Sequence, residues 1–327
     1  MIKTIFNQIN KALYGSFSTL AYTSQSELQD FNLNISPWWL TGFVDAEGCF
    51  RISVTKNEKY VSGWRVKLYF EIHIHKKDLA LLELIQKFFD VGKIYIKNDN
   101  SITYLVTSVK DLQVILEHFN KYPLITKKRA DFELWAQAFY KIQNKEHSTV
   151  DGLMKILAIR ATLNKGLTKE LKAAFPHIIP MQRPSIYNII IKDPNWMAGF
   201  TSGDGSFMLK IVKKIDRPSG AQVFLLFELS QHARDEQLMK SLIEYFNCGM
   251  VIENMEAFQY RVQKFSDIYE KIIPFFSRNR ILGVKSQDFN DWCKAAEIIN
   301  KKAHLTKEGL DQLYKIKKGM NLGRDVS

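Results

Sequence analysis

LTGFVDAEG (Leu40–Gly48) and MAGFTSGDG (Met197–Gly205) are the two stretches that decide the fold of this chain. Each is rich in small and apolar residues and ends in an acid followed by a glycine. The two acids, Glu47 and Asp204, lie 157 residues apart (204 minus 47). A motif that occurs twice at this distance in a chain of 327 residues indicates an internal duplication.

The offset of 157 also relates residues far from the two motifs. Pairs of identical residues that share it are Phe70 and Phe227, Glu71 and Glu228, Gly92 and Gly249, Lys128 and Lys285, Trp135 and Trp292, His147 and His304, Gly152 and Gly309, and Asn164 and Asn321. The sequence therefore predicts a domain at 36–164, a second at 193–327, and a linker at 165–192 that contains three prolines. A repeat of about 130 residues is too long for a solenoid unit, so a pseudo-twofold pair of domains is expected.

Small residues stand four apart in each motif, Gly42 with Ala46 and Gly199 with Gly203. On a helix this spacing places them on one face, where two backbones can approach closely. We therefore expect the two motif helices to pack side by side, each ending at its acid. The glycines that follow the acids, Gly48 and Gly205, are expected to adopt the left-handed conformation that ends many helices.

Packing of the motif helices would bring Glu47 and Asp204 together at two helix C-termini, where the partial charge is already negative. Two carboxylates there resist joint ionisation unless divalent cations neutralise them. Oxygen ligands favour a hard cation, chiefly Mg²⁺, which can activate water and stabilise a leaving oxygen in phosphodiester hydrolysis. One such acid would be interpreted as an ordinary solvated helix end, but two at matching positions favour a shared site.

Alternation of apolar and polar residues predicts strands at 49–55 and 64–75. A helix at 77–89, short strands at 93–97 and 103–108, and helices at 112–119 and 127–141 are predicted next, and the second copy repeats this order from Ser206. The fold class is therefore α+β. The polar faces of the strands are interpreted either as ordinary solvent-exposed sheet or as a surface that reads a DNA groove.

The charge balance favours a polyanionic partner, because 46 Lys and Arg against 34 Asp and Glu give a net charge of +12. No window approaches the ~20 uninterrupted apolar residues of a membrane-spanning helix, so no membrane partner is expected. Three cysteines without a CxxC pair support neither a disulfide framework nor a cysteine zinc site. His73 and His75 alternate on one strand face, but without further ligands at suitable spacing they are expected to face nucleic acid or solvent.

Residues 1–35 are expected to form a poorly ordered leader. The first 30 residues carry Lys3 and Lys11, several Ser and Thr, and no acid before Glu27. This pattern is compatible with a mitochondrial targeting segment and equally with a disordered leader.

The two motifs resemble those of the LAGLIDADG homing endonucleases, and the resemblance extends over nearly the whole chain after residue 35. Segments similar to the single-chain, fungal mitochondrial, Onu-type branch are KYPLITKK (121–128), KFSDI (264–268), KIIPFF (271–276) and GVKSQDFNDWC (283–293). The resemblance implies two copies of the family fold, each a curved antiparallel sheet with helices on one face, in a functional monomer. It also implies a mitochondrial intron-homing endonuclease that cuts both strands of a long DNA site and leaves short 3′ overhangs.

Metal and catalytic roles follow from the same resemblance. Glu47 and Asp204 match the acids that bind metal and catalyse, and the backbone carbonyls of Ala46 and Gly203 match those that complete the metal site. Mg²⁺ is the implied cofactor, and Ca²⁺ is expected to support binding without cleavage.

Three further catalytic residues are implied, and they are not symmetric between the halves. Lys128 and Lys285 match active-site lysines, whereas Gln231 matches a strand-end glutamine whose counterpart in the first copy is Ile74. The sixth motif position also differs, with Asp45 in one copy and Ser202 in the other. The two halves are therefore not expected to contribute equally.

The family resemblance places the polar faces of both sheets on the DNA duplex. The residues expected to contact DNA are Cys49, Arg51, Ser53, Thr55, Arg65, Lys67, Tyr69, Glu71 and His73 in the first copy, and Ser206, Met208, Lys210, Gln222, Glu228, Ser230, Arg261, Gln263 and Lys264 in the second.

Two other functions remain open at this point. Some relatives use the same fold as an RNA-binding maturase that helps its own intron RNA to splice, and a degenerate copy would bind DNA without cutting it. Intact acids in both motifs favour cleavage over either alternative and leave a dual role open.

Overall fold

The computed structural model describes residues 35–97, 99–187, 189–216 and 220–321. The predicted leader lies outside these described residues except for Ile35. That side chain is only 6% exposed and packs into the core of the first half.

The first half begins with helix α1 (Pro37–Glu47), which runs directly into strand β1 (Gly48–Lys56). Proline is tolerated at the start of α1 because the first N–H groups of a helix have no partner within it. The elements that follow are β2 (Trp64–His75), a 3-10 turn (Lys76–Asp78), α2 (Leu79–Phe89), β3 (Lys93–Ile96), β4 (Ser101–Val106), α3 (Val109–Lys121), α4 (Lys128–Gln143) and α5 (Val150–Thr162). Their order is the predicted one, with bounds shifted by a few residues.

The second half repeats this order after a short linker helix, α6 (Lys169–Ala174). Its elements are α7 (Pro194–Asp204), β5 (Gly205–Lys213), β6 (Ala221–His232), a 3-10 turn (Ala233–Asp235), α8 (Glu236–Phe246), β7 (Met250–Asn254), β8 (Ala257–Val262), an irregular helical segment that ends in α9 (Ile273–Arg278), α10 (Lys285–Asn300) and α11 (Lys307–Lys318). None of the helices within the described ranges combines the length and apolarity that a bilayer crossing demands.

Each half contains one four-stranded antiparallel sheet, with strand order β1-β2-β4-β3 in the first and β5-β6-β8-β7 in the second. Phe50 pairs with Phe70 in the first sheet, and Phe207 pairs with Phe227 at the matching place in the second. These four rings are almost fully buried under the helices, while the alternate residues of the same strands are partly exposed. The predicted α+β fold with two pseudo-symmetric copies is confirmed.

The segment corresponding to α3 in the second half is not a regular α-helix. It starts as one helical turn (Phe265–Asp267), widens into a π turn (Ile268–Ile272) and ends as α9. Pro274 explains the difference, because proline has no N–H to donate and its ring collides with the carbonyl four residues before it. The first half has Glu117 at the corresponding position and keeps a continuous helix.

Candidate active site

Helices α1 and α7 lie side by side in parallel, and their backbones touch. A Cβ atom added at Gly42 would lie 1.9 Å from the carbonyl oxygen of Trp196, and one added at Gly199 would lie 1.8 Å from that of Trp39. Neither position has room for any side chain. The predicted close packing on small residues is therefore confirmed, and it brings the two helix C-termini together.

Glu47 and Asp204 are the last residues of these two helices, and their side chains are close to each other. A Cβ atom added at Gly203 would lie 3.6 Å from Oε1 of Glu47, so the Glu47 side chain lies against the backbone just before Asp204. Burial, together with the negative charge of Glu47, raises the pKa of Asp204 to about 6. Burial also raises the pKa of Glu47. The site thus holds two carboxylates that oppose each other's ionisation.

Lys128 and Lys285 are the first residues of α4 and α10, and both ammonium groups reach the motif helix of their own half. Lys128 Nζ donates to the carbonyls of Val44 and Ala46 at 2.9 Å each, and Lys285 Nζ donates to those of Thr201, at 3.3 Å, and Gly203. Burial lowers the pKa of both lysines, and the carboxylates of Glu47 and Asp204 act against this shift. Two carboxylates and two ammonium groups therefore share one partly buried site.

Gln231 and Ile74 make the site asymmetric. Gln231 lies at the end of β6 and donates a hydrogen bond from Nε2 to Oδ2 of Asp204. Ile74 has the same place on β2 and packs against the apolar core of the first half. Gln231 thus hydrogen-bonds to Asp204, whereas the residue at its matching place in the first half is apolar.

Asp45 is buried and accepts four hydrogen bonds. Its role is therefore structural, unlike that of Glu47 two residues later. Its Oδ1 accepts from the N–H and hydroxyl of Thr126, and its Oδ2 accepts from Ile125 N–H at 3.1 Å and from Trp196 Nε1 at 2.8 Å. Burial raises the pKa of Asp45 to about 6 while these donors oppose the shift. Asp45 thus binds the loop before α4 to both motif helices.

Ser202 occupies the position of Asp45 in the second half and makes a smaller set of contacts. Its hydroxyl donates to Ala198 O and accepts from Leu282 N–H, both within that half. The sixth motif position is thus structural in both copies, and its change from acid to hydroxyl leaves the neighbouring acids, Glu47 and Asp204, in place.

The residues at the helix ends fit a divalent cation with oxygen ligands. Two carboxylates and the carbonyls of Ala46 and Gly203 lie at these helix ends, and a carbonyl oxygen that accepts from a lysine keeps a second lone pair. Within the described ranges, no group of three or more His, Cys, Asp or Glu could hold a metal. So few protein ligands suit an ion such as Mg²⁺, which usually keeps several waters and binds substrate phosphates.

The expected left-handed conformation of Gly48 and Gly205 was wrong. Both are extended, with φ of −75° and −78°, because the chain passes straight from helix to strand. Glycine is needed there for space: an added Cβ would lie 2.4 Å from Val44 Cγ1 in one copy and 2.4 Å from Thr201 Cγ2 in the other.

The residues predicted to contact DNA are all at least partly exposed. Cys49, Arg51, Ser53, Thr55, Arg65, Lys67, Tyr69, Glu71 and His73 alternate with core residues on β1 and β2, and Ser206, Met208, Lys210, Gln222, Glu228, Ser230 and Arg261 do so on β5, β6 and β8. Gln263 and Lys264 are exposed just after β8. The structure thus brings these residues together on the open faces of the two sheets.

Two of the predicted arginines are paired with predicted glutamates on these open faces. Arg51 binds Glu71 through Nε at 3.1 Å and Nη2 at 3.2 Å, and it lies 3.9 Å from the centre of the Tyr69 ring. Arg261 binds Glu228 at 2.9 and 2.7 Å. Glu71 and Glu228 therefore orient neighbouring arginines in the free protein.

His73 and His75 make separate hydrogen bonds in different parts of the first half. His73 Nδ1 is 2.8 Å from Thr103 Oγ1 on the neighbouring strand, whereas His75 Nδ1 accepts from Lys77 N–H in the turn that follows β2.

Sequence reasoning missed two acids near the site, Asp78 and Asp235. They end the 3-10 turns that follow β2 and β6, and each accepts a hydrogen bond from a backbone N–H of the other half. Their separation of 157 (235 minus 78) is the offset of the duplication and could have drawn attention to them.

The family model of the LAGLIDADG endonucleases matches the chain twice, at residues 40–139 and 197–296. The chain belongs to the LAGLIDADG endonuclease family. The two matched ranges begin within α1 and α7, so each copy of the family domain contributes one of the paired acids.

Solved LAGLIDADG structures with two domains in one chain are similar to this protein. The homing endonuclease I-SmaMI bound to cleaved DNA shares 45% identity, with a TM-score of 0.88 over 89% of this chain and 99% of that one. I-SmaMI bound to uncleaved DNA target with calcium ions shares 45% identity, with a TM-score of 0.87 over 88% and 99%.

Curated relatives include longer fungal proteins. Two from Neurospora crassa are named probable intron-encoded endonuclease 2, with 39% identity over 88% of this chain, and probable intron-encoded endonuclease 3, with 36% identity over 86%. The chain spans 65% and 54% of the length of these two relatives.

Proposed function

We propose that this chain is a sequence-specific homing endonuclease that hydrolyses both strands of a long double-stranded DNA site and leaves short 3′ overhangs. The observation that carries the proposal is the meeting of Glu47 and Asp204 at two parallel helix ends, beside the partly buried ammonium groups of Lys128 and Lys285. Paired carboxylates with cations beside them suit phosphodiester hydrolysis, in which negative charge must be bound and stabilised.

Double-stranded DNA is the proposed substrate because the open sheet faces carry the exposed polar and basic side chains, in a chain of net charge +12. Antiparallel strands are one recognised way of entering a DNA groove. The similar homing endonuclease I-SmaMI has been solved bound to cleaved DNA and to an uncleaved DNA target. Intron RNA, the alternative partner, has no comparable support among these observations.

Mg²⁺ is the proposed cofactor, held by Glu47 and Asp204 with the carbonyls of Ala46 and Gly203. When bound, the ion would lower the pKa of a water and stabilise the leaving oxygen. Ca²⁺ has the same ligand preference with looser geometry, so it should support binding without cutting.

Lys128, Lys285 and Gln231 are proposed to orient the acids and to balance the negative charge in the site. Lys128 and Lys285 place ammonium groups beside the carboxylates, where they can stabilise the charge that develops on a scissile phosphate. Gln231 fixes one oxygen of Asp204 through its amide. Because Ile74 cannot do this for Glu47, the two strands are expected to be cut at different rates.

A single chain is proposed to act as a monomer, because domains at 36–164 and 193–327, joined by the linker at 165–192, already supply both acids. Mitochondrial localisation is proposed from the relatives, which include a protein from an intron of the ND4 gene of Podospora anserina with 48% identity over 35% of this chain.

The test is to select cleavable sites from a randomised DNA library with Mg²⁺ and then to compare variants on the selected site. Glu47→Gln and Asp204→Asn keep side-chain shape but remove charge. Each should slow double-strand cleavage by about 10²- to 10³-fold, the scale of losing one preorganised electrostatic group. Affinity measured in Ca²⁺ should remain within a few-fold of the unmodified protein.

Glu244→Gln is the matched control, because Glu244 is an exposed acid on α8 and belongs to neither motif helix. It should cut like the unmodified protein. Failure to select any cleavable site, or normal cutting by Glu47→Gln or Asp204→Asn, would contradict the proposed function.

A further inference from the structure

Two carboxylates cross between the halves to bind the loops that carry the active-site lysines. Asp78 Oδ1 accepts from the N–H of Val284, immediately before Lys285, at 2.7 Å. Asp235 Oδ1 accepts from the N–H of Lys127, immediately before Lys128, at 2.7 Å. Each acid therefore belongs to one half while the lysine beside its contact belongs to the other.

These contacts cap the two helix starts from the opposite half, in addition to a local bond in which Thr126 Oγ1 accepts from Lys128 N–H at 3.2 Å. Neither Lys127 nor Val284, which precede α4 and α10, caps its helix through its own side chain. The first N–H groups of a helix need acceptors, and a carboxylate there also interacts well with the positive end of the helix dipole. Asp78 and Asp235 thus fix where each helix starts, and hence where its first residue lies.

The fit around Asp78 is close. Gly283, the residue before Val284, has φ of +73°, and an added Cβ there would lie 2.5 Å from Asp78 Oδ1. Asp235 is only 1% exposed. Small movements of either carboxylate would therefore shift the loop it binds.

The lysine side chains complete a chain of contacts through the site. Lys285 binds carbonyls at the end of α7, and Lys128 binds carbonyls at the end of α1. Each lysine is therefore held in two ways. Its ammonium group binds the motif helix of its own half, and the start of its helix binds an acid of the opposite half.

We propose that Asp78 and Asp235 are reciprocal positioning residues: Asp78 of the first half places Lys285, and Asp235 of the second half places Lys128. The inference rests on the proposed function and adds residues to its site. Each lysine reaches its working position only when the two halves are docked.

The experiment is a pair of double-mutant cycles with strand-specific labels on the selected DNA site. Asp78→Ala and Lys285→Met should each slow cleavage, by about ten- to a hundredfold, since a misplaced group can cost about 10²-fold. Combined, they should slow it little more than Lys285→Met alone. Asp78→Ala combined with Lys128→Met should multiply the two losses. Asp235→Ala should show the opposite pattern, coupled to Lys128→Met only.

Two further variants separate positioning from general destabilisation. Asp78→Asn keeps the oxygen acceptor and should restore most of the rate lost in Asp78→Ala. Ser108→Ala removes the cap of α3, whose Ser108 Oγ accepts from Asp111 N–H within one half, and should leave the relative rates of the two strands unchanged.

Amide hydrogen exchange provides a readout without DNA. In Asp78→Ala the loop at 281–284 should exchange faster while the loop at 124–127 does not, and Asp235→Ala should reverse this. Equal coupling of Asp78→Ala to both lysines, or unchanged exchange at 281–284, would overturn the inference. Absence of cleavage by the unmodified protein would overturn the proposed function instead, and the exchange pattern would still test the contacts.

Discussion

Replacing Gly199 by alanine should separate the two motif helices. The added Cβ would lie 1.8 Å from the carbonyl oxygen of Trp39, and its next neighbours, at 2.7 and 2.9 Å, are also backbone atoms. Real Cβ atoms essentially never come closer than 3.0 Å to such an atom, so the helices must move apart by at least 1.2 Å (3.0 minus 1.8). No flexible side chain can absorb this movement.

The expected loss of stability combines two opposing effects. Overpacking a close contact costs about 1–3 kcal/mol and occasionally more, and a clash between two backbones belongs at the upper end. Alanine gains about 1 kcal/mol of helix propensity over glycine, which offsets part of the cost. The free energy of unfolding should therefore fall by about 2 kcal/mol.

Urea unfolding measures this change, with Gly319→Ala as control. Gly319 ends α11, and an added Cβ there would meet only Ile316 O at 3.6 Å, an ordinary contact. That variant should stay within about 0.5 kcal/mol of the unmodified protein. Cleavage by Gly199→Ala should fall by up to about 10²-fold, because the acids at the helix ends separate with the helices. A free energy of unfolding equal to that of the control would refute the backbone contact.

Three further outcomes are expected. Asp45→Asn turns an amide N–H₂ toward two buried N–H donors, so the free energy of unfolding measured in urea should fall by about 2–4 kcal/mol. Ser202→Ala should lower it by only about 1 kcal/mol. Similar losses in the two variants would argue against the four-donor arrangement. Trp292→Phe breaks a 3.1 Å hydrogen bond to a backbone carbonyl, whereas Trp135 Nε1 meets no acceptor among the described residues, so calorimetry should show about 1 kcal/mol more loss for Trp292→Phe than for Trp135→Phe. Gln231→Ile makes the second half resemble the first and should bring the cleavage rates of the two strands closer, as followed by strand-specific labels; an unchanged ratio would remove Gln231 as the source of asymmetry.

Much of the fold was predictable because the duplication presents the same sequence patterns twice, 157 residues apart. Glu47 alone is an ordinary helix end, but Asp204 at the same place in a second copy made a shared site the better interpretation. The strands followed from the period-two alternation of their residues. The two lysines share the same offset, but their role in the site came from the family resemblance. Small residues four apart indicated a helix face on which α1 and α7 could approach each other closely.

The remaining features depend on contacts that no local pattern contains. Asp78 lies 206 residues from Val284 in sequence (284 minus 78), so its capping role appears only when the halves are docked. The extended conformation of Gly48 results from the absence of any loop between α1 and β1. Pro274, by contrast, stands inside a helical pattern, and the π turn before it could have been anticipated from proline geometry.

The pairing of Arg51 with Glu71 bears on how such a surface tells bases from backbone. The guanidinium carbon lies 3.9 Å from the centre of the Tyr69 ring, and two of the N–H groups are already bound to a carboxylate. Its orientation is thus fixed before any partner arrives, and little rotamer entropy is left to lose. A phosphate approaching this arginine meets the negative charge of Glu71 and is disfavoured, whereas a neutral base edge with an acceptor is not. A paired arginine of this kind is attracted less strongly to phosphates along the duplex. It discriminates instead at the few positions where a base acceptor can bind the N–H groups that the carboxylate leaves free.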